Sequence, residues 1–161
     1  MTWYDLVAFL LIVVIAWVES KRGFGRALFD MLGAIIVLKL GPLVSDALAG
    51  SIMVAGEKGE NQAFWLVIIA VVFAVLVVLV SRLIYQSTLL SLDYMDPVLG
   101  GAFGLVIGVI VVFFFLYSLQ LAYGVSDEGK ALAESFVGQE VLSLRTLHTI
   151  VDALHNLGRM D

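Results

Sequence analysis

The sequence predicts an all-α membrane protein with four transmembrane helices followed by a C-terminal amphipathic helical tail. Hydrophobic residues make up 61% of the 161 residues and charged residues only 14%, against roughly 25% charged in soluble domains. The mean hydropathy is +1.05. Long apolar runs alternate with short polar segments up to about residue 123, and the composition then becomes polar. We therefore expect a transmembrane domain at 1–123 and a tail at 124–161.

Four apolar runs define the expected transmembrane spans. A helix needs about 20 predominantly apolar residues to cross the hydrocarbon core of a bilayer. The runs place the spans at approximately 3–20, 27–44, 63–83 and 97–120. The first run has no basic n-region and no small-residue cleavage site, so it is predicted to be a retained helix. Residues 45–62 are small and polar, which predicts a flexible loop.

The fourth span carries a pattern typical of helix packing. Gly100, Gly104 and Gly108 recur every fourth residue and therefore share one helix face. In lipid, such glycines allow another helix backbone to approach closely. The partner helix can belong to the same subunit or to a second copy in a homo-oligomer. Asp96 is expected to be the N-cap of this helix and Pro97 its first helical residue.

Basic residues set the predicted topology. Lys21, Arg22 and Arg26 form the densest positive cluster, and Arg82 follows the third span. By the positive-inside rule these residues mark the cytoplasmic loops, which places both termini and the tail outside the cytoplasm. The three clustered cations also attract lipid headgroups, so membrane lipids are expected partners.

Ionisable residues near the span ends are candidates for an intramembrane polar site. Asp30 follows Arg26 by four residues, a spacing at which two side chains can pair on one helix face. Lys39 lies deeper and can extend its alkyl stem toward the interface. Such residues also mark ion pathways, so an anchoring role and a channel role both remain open. Asp5 is expected to be a solvated residue at the membrane boundary.

The tail carries an amphipathic pattern. Apolar residues recur at helical spacing and form one face, which includes Leu144, Leu147, Val151 and Leu154. Acidic residues outnumber basic ones from residue 124 onward, which favours docking to a protein, or self-association, over adsorption to lipid. Gly138 is predicted to divide the tail into a short and a longer helix.

The sequence shows no pattern for an enzyme, a cofactor or a metal. The absence of cysteine excludes disulfides and thiolate chemistry. His148, Asp152 and His155 share a helix face, but the two histidines are about 10 Å apart along a straight helix, too far to bind one ion. The net charge of −5 argues against nucleic-acid binding.

Several of these residues also carry a family resemblance. They are Asp5, the triplet Arg22-Gly23-Phe24, and the series Asp96, Leu99, Gly100, Gly104 and Gly108. Over roughly residues 3–120 the chain resembles the CvpA family, small bacterial inner-membrane proteins named for a role in colicin V production. The family usually places an arginine directly after the acid of the second motif. This sequence has Pro97 there, so no role of that arginine carries over.

The resemblance implies a multi-pass protein of the cell inner membrane that takes part in an export or envelope process such as toxin biosynthesis. Together with the tail, it predicts a scaffold or accessory factor that docks a membrane or periplasmic protein of unknown identity. The alternative is a small oligomeric channel or transporter with a polar path near Asp30, Lys39 or Asp96.

The predicted topology can be tested with single cysteines, because the chain has none of its own. A cysteine at Lys21 is expected to resist a membrane-impermeant maleimide in intact cells and to react after permeabilisation. A cysteine at Lys58 should react in intact cells, because it lies on the opposite side. Labelling of position 21 from outside would invert the topology.

Overall fold

The structure is a computed structural model that describes residues 3–54, 56–88, 95–124 and 126–142. This part of the chain is helical. The helices are α1 (Trp3–Arg22), α2 (Phe24–Ser51), α3 (Lys58–Thr88), α4 (Asp96–Tyr123) and α5 (Asp127–Glu134), followed by a π-helical segment, Gly138–Leu142. Helices α1 to α4 are long and apolar enough to cross a membrane, which confirms the predicted all-α, four-span fold.

Helix α4 is the centre of the bundle. It packs against α1, α2 and α3, whereas α1 has its main contact with α4. Val112 and Leu116 of α4 are fully buried, while large apolar side chains such as Phe9, Trp17 and Leu79 are exposed on the outer helices. In a bilayer these outer faces contact lipid, which is as apolar as they are.

The glycine face of α4 lies against α1. Gly100, Gly104 and Gly108 are all buried. A Cβ atom at Gly104 would lie 2.7 Å from the Cα atom of Ala16, and one at Gly108 would lie 2.9 Å from the Cα atom of Ile12. Any side chain there would have to push the two backbones apart. The structure thus uses the glycine face for a contact between two helices of one chain.

The start of α4 differs from the prediction. Met95 is the N-cap, and Asp96 lies within the first turn, followed by Pro97. The expected N-cap role of Asp96 is therefore wrong. Its carboxylate lies beside Gly23, the N-cap of α2, with Oδ2 3.1 Å from the position that a Cβ of Gly23 would occupy. A negative charge at this place stabilises the N-terminal end of the α2 dipole.

The prediction of a flexible loop at 45–62 is wrong for much of that range. Helix α2 continues through Pro42 to Ser51, and α3 already begins at Lys58. Within this helical extension the Ser45 hydroxyl donates a hydrogen bond of 2.8 Å to the carbonyl oxygen of Pro42. Small and polar residues therefore do not end the helix here.

Asn61 explains why the connection from α2 to α3 is compact. Its buried side-chain amide donates to the carbonyl oxygens of Ala49 and Ile52, both at 3.0 Å. Its carbonyl oxygen accepts from the Val54 N–H at 2.9 Å. One side chain thus binds three main-chain groups near a helix end, and the indole N–H of Trp65 also donates to the carbonyl oxygen of Ile52 at 3.1 Å.

The beginning of the tail packs onto the bundle. Leu132 of α5 and Val141 of the π-helical segment are buried in the same apolar cluster as Tyr4 of α1. The Val137 N–H donates a hydrogen bond of 3.0 Å to the carboxylate of Asp5. Asp5 is only 2% exposed, so its predicted position as a solvated boundary residue is wrong, because the tail covers it.

The rest of the tail lies outside the described residues. This applies to the predicted docking residues Leu144, Leu147, Val151 and Leu154 and to the polar residues His148, Asp152 and His155. The predicted break at Gly138 coincides with the first residue of the π-helical segment. A Cβ at Gly138 would overlap the carbonyl oxygen of Leu132, so this position requires glycine.

Replacing Gly104 by alanine is expected to loosen the contact between α1 and α4. Overpacking of this kind costs about 1–3 kcal/mol of unfolding free energy. The matched control is Gly101→Ala, whose Cβ would lie 3.5 Å from its nearest neighbour, the Cβ of Ser20. That variant should be neutral or stabilised by up to about 1 kcal/mol, because alanine favours helix more than glycine does. Unfolding in detergent micelles measures both, and equal midpoints would contradict the expectation.

Candidate functional site

Four side chains from three helices form a network at one end of the bundle, here called the polar cluster. Arg22 Nη1 lies 2.8 Å from Glu19 Oε1 and 3.4 Å from Asp30 Oδ2. The Ser81 hydroxyl donates to Asp30 Oδ1. The Glu19 and Asp30 side chains are 5% and 6% exposed, and that of Arg22 is 32% exposed. Arg22, which the sequence places in a cytoplasmic loop, is thus only partly exposed and pairs with two buried carboxylates.

The tight turn between α1 and α2 produces this arrangement. Gly23 has a φ of 86°, a conformation that glycine adopts without the steric cost other residues incur. Its N–H still donates to the carbonyl oxygen of Glu19 at 3.0 Å, and α2 begins at the next residue. The last turn of α1 and the first turns of α2 therefore share one end of the bundle without an intervening loop.

Two sequence motifs meet at this turn. A Cβ at Gly100 would lie 2.6 Å from the carbonyl oxygen of Glu19. The rings of Phe24 and Phe103 lie with their centroids 5.6 Å apart. Together with the carboxylate of Asp96 beside Gly23, these contacts join the start of α2 to the start of α4. Segments that are distant in the sequence form one structural joint.

The predicted pairing of Asp30 with Arg26 is wrong. Arg22 makes the ion pair instead, because Asp30 lies on the buried side of α2, where it also meets Ser81 of α3. The Nε atom of Arg26 and the Oε2 atom of Glu19 are buried and have no hydrogen-bond partner. The polar cluster therefore retains one unused donor and one unused acceptor nearby.

The other predicted charges are not part of the cluster. Lys21 and Lys39 are exposed, so Lys39 does not share the buried environment of Asp30. Sequence reasoning missed Glu19 and Ser81. The spacing of Glu19 and Arg22, three residues apart at the end of an apolar run, is a signal that could have indicated the ion pair. A serine at the end of a span gives no comparable signal.

An apolar cavity of about 280 Å³ lies between α2, α3 and α4 and is here called the cleft. Glu19, Arg22 and Asp30 line one end of it. Its walls are otherwise apolar and include Ala34, Val37, Ala70, Ala74, Ile110 and Phe114. The arrangement offers a binding space with charged groups at one end and hydrocarbon along its length.

These features define a multi-pass membrane protein with a buried polar cluster and an apolar cleft at the same end of its bundle. Comparison with protein-family models, with curated proteins and with solved structures finds no match. Among the described residues, no group of three or more histidine, aspartate or glutamate side chains could hold a metal ion. The interpretation of the site therefore depends on its own residues.

Replacing Arg22 by alanine is expected to destabilise the bundle, because it leaves the buried carboxylates of Glu19 and Asp30 without their shared cation. Breaking a buried ion pair costs roughly 3–5 kcal/mol, and partial exposure of Arg22 places the expected loss at about 3 kcal/mol. Lys21→Ala removes the same charge from an exposed neighbour and should have an effect below about 1 kcal/mol. Chemical unfolding in detergent micelles compares the two variants. Equal losses of unfolding free energy would show that the polar cluster does not stabilise the fold.

Proposed function

We propose that the chain is a scaffold or accessory factor for an export or cell-envelope process in the bacterial inner membrane, and that it belongs to the CvpA family. The observation that carries the proposal is that, in the described part of the chain, the buried side chains of Asp5, Asp30 and Asn61 make hydrogen bonds within the bundle. The apolar outer surface and the tail are then left for partners. A rigid helical unit of this kind is suited to holding other proteins in place.

The joint between α1, α2 and α4 supports the proposed family membership. Arg22, Gly23, Asp96 and Gly100 belong to the two motifs on which the resemblance rests, and they are neighbours in space. Each has a geometric role at this end of the bundle. Gly23 forms the turn, the carboxylate of Asp96 lies beside it, and Gly100 allows close contact with α1. In the proposed topology this end faces the cytoplasm.

The channel alternative receives less support from the described part of the chain. Asp30 is bound by Arg22 and Ser81, whereas Lys39 is exposed elsewhere on α2. Beyond the polar cluster, the walls of the cleft are apolar. These residues do not form a continuous polar path through one chain, so a channel would have to be assembled from several chains.

The beginning of the tail supports a docking role for the part that follows. Leu132 and Val141 are held in the bundle, and the Val137 N–H is bound to Asp5. The described part of the tail therefore ends beside the first turn of α1. By the proposed topology this is the extracytoplasmic surface, where the leucine face would be presented to a partner.

Photo-crosslinking in living cells tests this docking role. A benzoylphenylalanine at Leu147 or Leu154 is expected to trap a discrete partner, because helical spacing predicts both residues for the apolar face of the tail. The same probe at Thr149, which the same spacing predicts for the opposite face, should give little or no adduct. Adducts of equal yield at all three positions would contradict a face-specific contact.

Truncation provides the complementary measurement. Removing residues 143–161 should abolish the partner adducts that form from a probe at Phe136, an exposed residue of the retained part of the tail. The midpoint of unfolding should not change. Removing residues 127–161 should lower the midpoint as well, because it uncovers Asp5 and Tyr4. Unchanged envelope function after the shorter truncation would refute the docking proposal.

Flux through proteoliposomes distinguishes the channel alternative. The scaffold proposal predicts that ion and solute flux stays at the level of protein-free liposomes. Flux that appears with the wild type and is lost in Asp30→Asn would favour a channel and overturn the scaffold.

A further inference from the structure

The cleft is accessible from the side of the bundle. Val71 of α3 and Val111 of α4 border it and are 58% and 38% exposed. In a bilayer, exposed valines at these positions face hydrocarbon. An apolar chain can therefore enter the cleft laterally, between α3 and α4, without passing through water.

The cleft and the polar cluster are arranged by depth in the membrane. Helices α2 and α4 both begin at the end of the bundle that holds the polar cluster. On α2, Asp30 is close to this end and Val37 lies two turns further from it. On α4, Phe114 likewise lies further from it than Ile107. The charged end therefore lies toward the membrane boundary and the apolar end toward the middle of the bilayer. A phospholipid in the adjacent leaflet has the same order, with its headgroup outside its acyl chains.

The charges at the outer end point to a headgroup with both signs. Two carboxylates, Glu19 and Asp30, lie beside Arg22, and Arg26 lies in the first turn of α2. The residue Glu19 is 4% exposed, yet its Oε2 has no hydrogen-bond partner, and neither has Nε of Arg26. Unsatisfied buried polar groups are costly, and each needs an explanation. An ammonium would satisfy the carboxylate, and a phosphate would satisfy the guanidinium.

We propose that the cleft is a binding site for a phospholipid with a primary amine in its headgroup, namely phosphatidylethanolamine. One acyl chain occupies the cleft, the ammonium donates to Glu19, and the phosphate accepts from the arginines of the turn. At about 280 Å³, the cleft is close to the lower end of ligand pockets, which are roughly 300–1,000 Å³. It therefore admits one chain and leaves the other in the bilayer. This site does not depend on the proposed scaffold function.

Photo-crosslinking of lipid to the purified full-length protein in nanodiscs tests the site. The probe is phosphatidylethanolamine that carries a diazirine in one acyl chain, and labelled peptides are mapped by mass spectrometry. Labelling is expected to concentrate on the cleft, at residues 70–78 of α3 and 107–114 of α4. Labelling spread evenly over all exposed helix faces would overturn the proposal, since that pattern is typical of bulk lipid.

Two variants of α3 separate the cleft from the general lipid surface. Ala74→Phe fills the cleft and is expected to reduce labelling there about tenfold, a factor that corresponds to about 1.4 kcal/mol. Val75→Phe adds a similar ring to the next residue, which is exposed but does not line the cleft. It should leave the labelling unchanged. Equal effects of both variants would refute a defined site.

Competition by unlabelled lipids tests the headgroup. Phosphatidylethanolamine should displace the probe, whereas phosphatidylcholine, which has no N–H donor, and phosphatidylglycerol, which has no ammonium, should compete much less. Glu19→Gln should abolish the preference for phosphatidylethanolamine over phosphatidylcholine, while Ala74→Phe acts on the chain. Equal competition by all three lipids would overturn the headgroup assignment. A disulfide between two copies that each carry Ala74→Cys would instead identify a helix of a second copy as the occupant and refute the lipid site.

Discussion

The backbones of α1 and α4 touch along Gly100, Gly104 and Gly108, and the rest of the bundle depends on this contact. In lipid there is no hydrophobic gain when apolar helices meet, so association relies on short-range packing and on buried polar contacts. Side chains at these positions would separate the helices, since the virtual Cβ atoms lie 2.6–2.9 Å from atoms of α1. The contact also fixes the last turn of α1, where Glu19 and Arg22 lie, against the beginning of α4.

Helix α1 carries a buried acid near each of its ends, and each acid is covered by a different part of the chain. Asp5 accepts a main-chain hydrogen bond from Val137 of the tail. Glu19 is paired with Arg22 in its own last turn. Buried charges need partners of this kind, because desolvation without pairing is strongly unfavourable. The two ends of the bundle are therefore closed by different chemistry, and the Arg22 end combines charge with an apolar cleft.

The combination of a buried polar cluster and an apolar cleft constrains function. A transport path requires polar groups along its length, whereas the polar groups that line the cleft are confined to one end of it. A scaffold requires a stable bundle and accessible surfaces, which the glycine contact and the apolar outer faces supply. A lipid held at the cleft would place a polar headgroup beside the joint that links α1, α2 and α4. The proposed lipid site and the described beginning of the tail, residues 126–142, lie at opposite ends of α1.

The sequence by itself determined the four apolar helices, because length and hydrophobicity alone decide whether a segment can cross a membrane. It also determined that Gly100, Gly104 and Gly108 share a face. Only the tertiary structure decided which helix that face meets, that Arg22 rather than Arg26 pairs with Asp30, and that Asp96 lies beside Gly23 instead of capping its own helix. The tail likewise buries Asp5 although local composition predicted solvent. The reason is the same in each case. Hydropathy and residue spacing are properties of a single helix. The partner of a charge or of a glycine is decided only when helices that are distant in the sequence pack together.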